Sequence, residues 1–453
     1  MSTPNTTTWS QRFAPLVRGF HTYATWLVSI SWKRFFLLSI LLLIISAILK
    51  EIPPFTWTIS ERVETLPRKV VVAPKPPKPP AAPGEKPRDE PMIKIEPPVV
   101  GDPMRTWGNG ERKVWWSVIA RNKRSVTANL RVAEGQDLAR RLLADADIMI
   151  ENFKPGTMEK WGLGPDALLA LNPRLIMLRI SGYGQTGPYR DKPGFGVVAE
   201  AMSGLRHLTA EPGRVPVRVG VSIGDTLASL HGVIGILMAL QERQRSGQGQ
   251  VIDVALYEAV FNCMESLLPE YSAFGAVREA AGSALPGIAP SNAYRCGDDG
   301  YVLIAGNGDS IFKRLMHTMG RDDLGLDADL ADNTGRVRRV AEIDAAITQW
   351  TRQHPIDHVL AELDKAAVPA GRIYTVADIA SDPHYLARGM VQSMRMDDGE
   401  DLLVPGVVPK LSRTPGGQWR NAPSVGQDTD AVLQGMGLTA GQIQQLRDQG
   451  IVA

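Results

Sequence analysis

Cysteine is nearly absent: Cys263 and Cys296 are the only two in 453 residues. They show no CxxC spacing, so neither a disulfide scaffold nor a cysteine zinc site is indicated. His317, His354, His358 and His384 form no HExxH or ligand-spaced cluster, and no metal is expected. Acidic residues are missing from the first fifty positions, which carry Arg12, Arg18, Lys33, Arg34 and Lys50. The rest of the chain then holds 45 basic against 48 acidic residues. A body without basic surplus lacks the footprint that neutralises phosphates, so no nucleic-acid partner is expected. No internal repeat of fixed period is visible. What is present, 44% hydrophobic and 22% charged residues, is the composition of a globular chain long enough for two or three domains.

Three regions separate by composition. Residues 1–34 form a basic N-terminal segment. Phe35 to Leu49 is charge-free and is bracketed by Lys33-Arg34 and Lys50-Glu51. As a helix it would span about 22 Å at 1.5 Å per residue. That is short of the roughly 30 Å hydrocarbon core, but flanking Lys and Arg can snorkel and Trp32 can sit at the interface. Residues 35–50 are therefore expected to be a single transmembrane anchor, with a buried core helix as the alternative. Residues 51–91 are expected to be a linker, because Pro74 to Pro91 holds eight prolines. Proline fixes φ and removes a donor, which gives an extended spacer. From Met92 onward short apolar strands alternate with amphipathic helices, as in DLARRLLADADIMIENF, ALLALNPRLIMLRIS and GQVIDVALYEAVFNCMESLL. That alternation predicts an α/β fold with a largely parallel sheet.

The ordered strings IKIEPP, GDPMRTW, ARNKRSV, ADIMIENFKPGTMEKWGLG, ISGYGQTGPYRDKPGFG, PVRVGVSIGDTLASLHG and ALQERQRSGQGQVIDVALYEA resemble family III CoA-transferases, the CaiB/BaiF group, as do VPAGRIYTVADIASDPHYLARGM and LVPGVVPKLSRTPG downstream. The resemblance covers about residues 92–453 and looks most like the branch of succinyl-CoA:dicarboxylate transferases. It implies a Rossmann-like large domain from residues 92–265 plus 395–453, a smaller α/β domain from 285–385, and an interlocked homodimer. It also implies transfer of CoA from an acyl-CoA to a carboxylic acid, with the CoA thioester as substrate and no cofactor.

Asp225 follows Gly224 where a helix is expected to begin at Thr226. The bland reading is a helix cap, since Asp is a favoured N-cap. The same position keeps a carboxylate ionised beside the positive end of the dipole. The resemblance makes Asp225 the nucleophile that attacks the thioester, with Gly220 and Gly224 allowing close backbone approach. It further implies CoA contacts from Asn122, Lys123 and Arg124, from Glu151, Asn152 and Phe153 at a strand end, and from Lys160 and Trp161 near the adenine. Each of these taken alone reads as a solvated charge or packing residue. Gly182, Gly184 and Gly187 lack a phosphate-loop pattern and read as turn glycines. His231, two turns into the Asp225 helix, reads as a packed or hydrogen-bonded histidine.

The chain departs from the family at its front. Only IKIE survives of the opening strand, turn and helix, so the first βα unit is expected to be missing and neighbouring apolar surface exposed. Ala128-Asn129 and Asp428 replace other residues usual in the family. Gly194-Phe195-Gly196 carries no titratable group, which argues against racemisation. The positive N-terminal charges would send the body across the membrane, whereas CoA thioesters are cytoplasmic. The expectation is a single-pass protein of the inner or cell membrane with its body on the cytoplasmic side. The alternative is a non-catalytic membrane-anchored fusion with a degenerate transferase body.

Overall fold

The computed structural model describes residues 92–109 and 113–453. The expected basic segment, anchor helix and proline-rich linker, residues 1–91, lie outside the described residues. Among the described residues there are ten strands, most of them separated by helices. β1 (Met92–Glu96) pairs in parallel with β2 (Lys123–Thr127). β3 (Ile148–Glu151), β4 (Ile176–Ser181) and β5 (Val251–Ala255) form a second parallel sheet in the order β3-β4-β5. Five of the six β4 residues are buried, as a strand flanked on both edges and covered on both faces requires. The parallel α/β architecture expected for the large domain is what forms.

The parallel strands nevertheless fall into two sheets. The β1 and β3 edges away from β2 and β4 pair with no strand among the described residues. Both sheets pack on one helix, α1 (Ala133–Ala144): Ile95 of β1 and Met149 of β3 share a core with Ala139. Between them runs a groove of about 3050 Å³, where Ile93 and Ile150 keep exposed side chains.

The C-terminus closes the other flank of β2. The Asp428 carboxylate accepts from the Ser125 N–H at 2.9 Å, and Thr127 Oγ1 donates to the Ala453 carbonyl at 3.0 Å. Leu433, Ile443 and Val452 pack there against Leu138 of α1. Glu96, the end of IKIE, accepts two hydrogen bonds from Arg105 and one from Ser125, which explains why IKIE and GDPMRTW occur together.

A separate core, from Tyr294 to Val368, belongs to β6 (Ser291–Arg295), β7 (Tyr301–Ala305) and β8 (Ala370–Arg372) with their helices. This sheet is antiparallel throughout. This part of the chain therefore departs from the parallel arrangement expected of the body. Five residues join β6 to β7, a length that closes a hairpin and is too short for a parallel crossover. β9 (Val391–Arg395) and β10 (Asp401–Pro405) form a second hairpin.

Candidate active site

The site is built on α2 (Gly196–Met202) and α3 (Ile223–Ser246). Small residues recur down the buried side of α3, Gly224, Ala228, Gly232 and Ala239, with Ile236 between the last two. A Cβ at Gly232 would lie 2.7 Å from a Leu178 methyl, and one at Gly235 2.9 Å from Ile252. Missing side chains thus let α3 sit close on β4 and β5. Arg243 and Arg245 in the last turn complement the helix dipole, and Gly247 closes the helix at φ 76°. α3 is long and apolar enough to cross a membrane by length and composition, but its glycine contacts seat it on this sheet.

The helix begins earlier than the sequence reading had it. Ser222 is the N-cap and Asp225 is the third helical residue. Asp225 is therefore not a cap; it lies in the first turn, on the groove. Gly196, the first residue of α2, faces it so closely that a Cβ there would lie 2.2 Å from Asp225 Oδ2. A Cβ at Gly224 would lie 3.1 Å from the Gly196 carbonyl, so this glycine lets α2 and α3 approach closely. Gly220 lines the groove beside Asp225, and a Cβ there would meet no protein atom within 4 Å.

Burial raises the Asp225 carboxyl above the ordinary carboxylate range, and the charge of nearby Glu200 adds to this; Arg218 and the helix backbone oppose both. Glu200 is 1% exposed. Its Oε2 lies 3.5 Å from Arg206 and 3.6 Å from Arg218, while its Oε1 has no hydrogen-bond partner among the described residues.

Of the expected CoA contacts, Lys123, Glu151, Asn152, Phe153 and Trp161 line the same groove as Asp225. The rings of Phe153 and Trp161 meet edge to face at 5.0 Å and form an apolar corner. Lys123 is held by the Ile119 carbonyl, and burial lowers its pKa. Arg124 and Lys160 are not on the groove. Asn122 is occupied otherwise. At φ 63° it donates from Nδ2 to the Gly417 carbonyl and accepts at Oδ1 from the N–H groups of Trp419 and Arg420. It ties the C-terminal crossing to β2, a tertiary role invisible in a local string.

Glu151 belongs to a three-membered, partly buried ion cluster that sequence reasoning did not find. Arg179 on β4 donates from Nε to Glu151 at 2.7 Å and in a fork to Glu159 at 2.7 and 3.3 Å. Burial outweighs Arg179 at Glu151 and holds its carboxyl above the usual range. At exposed Glu159 the Arg179 bond prevails and lowers it. The available signal was a lone arginine in an apolar strand, LIMLRIS. Gly184 and Gly187 adopt φ 86° and 85°, consistent with turn glycines. His231 Nδ1 lies 2.8 Å from the Leu227 carbonyl and Nε2 3.1 Å from Asn262 Nδ2, the hydrogen-bonded role expected of it.

Residues 91–429 match the family model described as CoA-transferase family III. The chain belongs to that family. A succinyl-CoA–D-citramalate CoA-transferase of Chloroflexus aurantiacus is 46% identical over 365 residues, covering 80% of this chain and 91% of that protein. A succinate–glutarate CoA-transferase of Agrobacterium fabrum is 34% identical over 353 residues, 76% of this chain and 88% of the relative. Among solved structures, a CaiB/BaiF family protein from Brucella suis superposes with a TM-score of 0.66 at 36% identity, covering 76% of this chain and 91% of that one. The resemblance and the α/β fold expected from the motifs are thereby established for this family III member.

Proposed function

We propose that this family III chain moves CoA from succinyl-CoA or a similar acyl-CoA to a dicarboxylic acid, with Asp225 as covalent nucleophile. The reading rests on one observation: Asp225 sits in the first turn of α3 on a groove also lined by Lys123, Phe153 and Trp161. An Asp225 oxygen attacks the thioester carbonyl, the C–S bond breaks, and the sulfur leaves as thiolate with the electron pair. The mixed anhydride is then attacked by that thiolate at the Asp225 carboxyl carbon, which expels the donor acid and leaves an aspartyl-CoA thioester. The acceptor carboxylate repeats the sequence in reverse order and regains Asp225 as carboxylate, with no net proton consumed. The first-turn N–H groups of α3 favour the ionised state that starts the cycle. Substrate names of the relatives support the succinyl and dicarboxylate classes.

The test mixes full-length protein in detergent with succinyl-CoA, adds hydroxylamine, and looks for an Asp225 hydroxamate by peptide mass spectrometry. Formation that needs acyl-CoA and disappears in Asp225→Asn is expected; full turnover by Asp225→Ala sinks the reading. The second reading, a non-catalytic fusion whose first βα unit is missing, is favoured by the separation of the β1-β2 sheet from β3-β4-β5. Acyl-CoA binding without Asp225 modification would support it.

A further inference from the structure

The geometry points to Arg218, steadied by Glu200, as the group that receives the far carboxylate of a dicarboxylic substrate. This rests on the transferase reading and deepens it. Arg218 lies seven positions before Asp225, on the segment leading into α3, and borders the same groove. The Val217 N–H to the Thr209 carbonyl, 2.8 Å, pins the residue before it. Arg218 Nε stands 3.6 Å from Glu200 Oε2, too long for a hydrogen bond, and no hydrogen bond from Arg218 occurs among the described residues. Arg206 leans on the same oxygen from 3.5 Å. One buried carboxylate thus serves two guanidinium groups, neither closely, while its second oxygen has no partner among the described residues.

Charge counting gives the pair its purpose. Arg206, Arg218 and Glu200 sum to one positive charge, and ionised Asp225 cancels it. Acylation removes the Asp225 charge, so the positive charge beside the groove is uncompensated at the moment the acyl group is held there. The free carboxylate of a succinyl-type acyl group restores neutrality; a monocarboxylic acyl group cannot. Arg218 is suited to that contact, with a half-exposed side chain and a fork that binds carboxylates through two parallel bonds.

The experiment compares glutarate with valerate, acids of equal length differing in the second carboxylate, as acceptors from succinyl-CoA to full-length protein. Arg218→Gln is expected to lower kcat/KM for glutarate by about 30-fold, the range of a charge-assisted bidentate contact, and to change valerate by less than about 3-fold. Arg218→Lys, which keeps the charge but loses the fork, is expected to fall between for glutarate alone. Equal losses on both acids, or a parent protein indifferent to the second carboxylate, overturn the inference. Calorimetric titration of Asp225→Asn protein, which lacks the compensating charge as the acylated enzyme does, with each acid gives a readout besides turnover. Tighter glutarate binding that Arg218→Gln abolishes supports Arg218 even if no Asp225 hydroxamate forms and the covalent reading fails. Equal binding of the two acids overturns it.

Discussion

Gly196→Ala separates activity from stability in one substitution. The new Cβ would lie 2.2 Å from Asp225 Oδ2, where real Cβ contacts are at least 3.0 Å, so the carboxylate must retreat by about 0.8 Å. Asp225 is fixed in the first turn of α3, and that helix is seated on β4 and β5, so the side chain has to turn off its present course instead of being carried along. Misplacing a reacting group by about 1 Å costs on the order of 100-fold in rate. The same change should not unfold the protein. Gly196 is the first residue of α2, its φ is not positive, and alanine is the better helix former by roughly 0.5 kcal/mol or more. Turnover with succinyl-CoA, the rate of hydroxamate formation at Asp225, and thermal melting should be measured side by side. The expected result is a loss near 100-fold in both rates with a melting temperature within a few degrees of the parent. A variant that keeps full activity would show that the Gly196 contact does not hold the nucleophile. One that loses activity only in step with folding would refute the argument equally.

Two further substitutions probe the charges around the groove. Glu200→Gln removes a negative charge that helps hold the Asp225 carboxyl above its ordinary range; Asp225 then stays ionised to lower pH, and the acid limb of the kcat/KM profile should move down. An unmoved or rising limb would mean that Glu200 does not act on Asp225. Arg179→Met strands buried Glu151, and breaking such a pair costs about 3–5 kcal/mol near neutral pH, read by urea denaturation. Burial already raises the Glu151 carboxyl, and loss of Arg179 raises it more, so protonation should relieve the penalty as pH falls. Adding Glu151→Gln should restore much of the loss, and a cost below about 1 kcal/mol for Arg179→Met would contradict the assignment.

How much of this was legible in the sequence depends on how far each feature reaches along the chain. Helix and strand alternation is local, so the parallel α/β architecture and the helix carrying Asp225 could be read from periodicity and from Gly247 beyond its end. The start of α3 was misplaced by a few residues because Gly224 and Asp225 look like a cap, whereas Ser222 holds that position. Asn122 sits in a string that also fits ligand contact, yet its hydrogen bonds run to 417–420, about three hundred residues away, and nothing nearby in sequence records that. The Arg179 cluster joins three elements and left only one clue, a charge inside an apolar strand.

The split between the two parallel sheets follows from the same distinction between local and long-range information. β1 and β3 each carry a complete strand pattern and each finds one partner, so no local signal is broken in either. What is exceptional is the pair of edges that meet no strand among the described residues, with Ile93 and Ile150 exposed toward a groove that also reaches Asp225. Buried parallel sheets are normally continuous and covered on both faces, so among the described residues the rigidity that the chemistry at Asp225 needs depends on whichever sheet seats its helix. Helix α3 answers that demand from the β4-β5 side alone, through Gly232 and Gly235, and Asp225 is positioned by contacts with Gly196 and Gly224 that do not involve β1 or β2. The nucleophile's immediate setting is thus independent of the divided sheet, whereas the Lys123 wall of the groove is carried by β2 across the division. Loss of order between the two sheets should accordingly weaken acyl-CoA binding before it disturbs the geometry at Asp225.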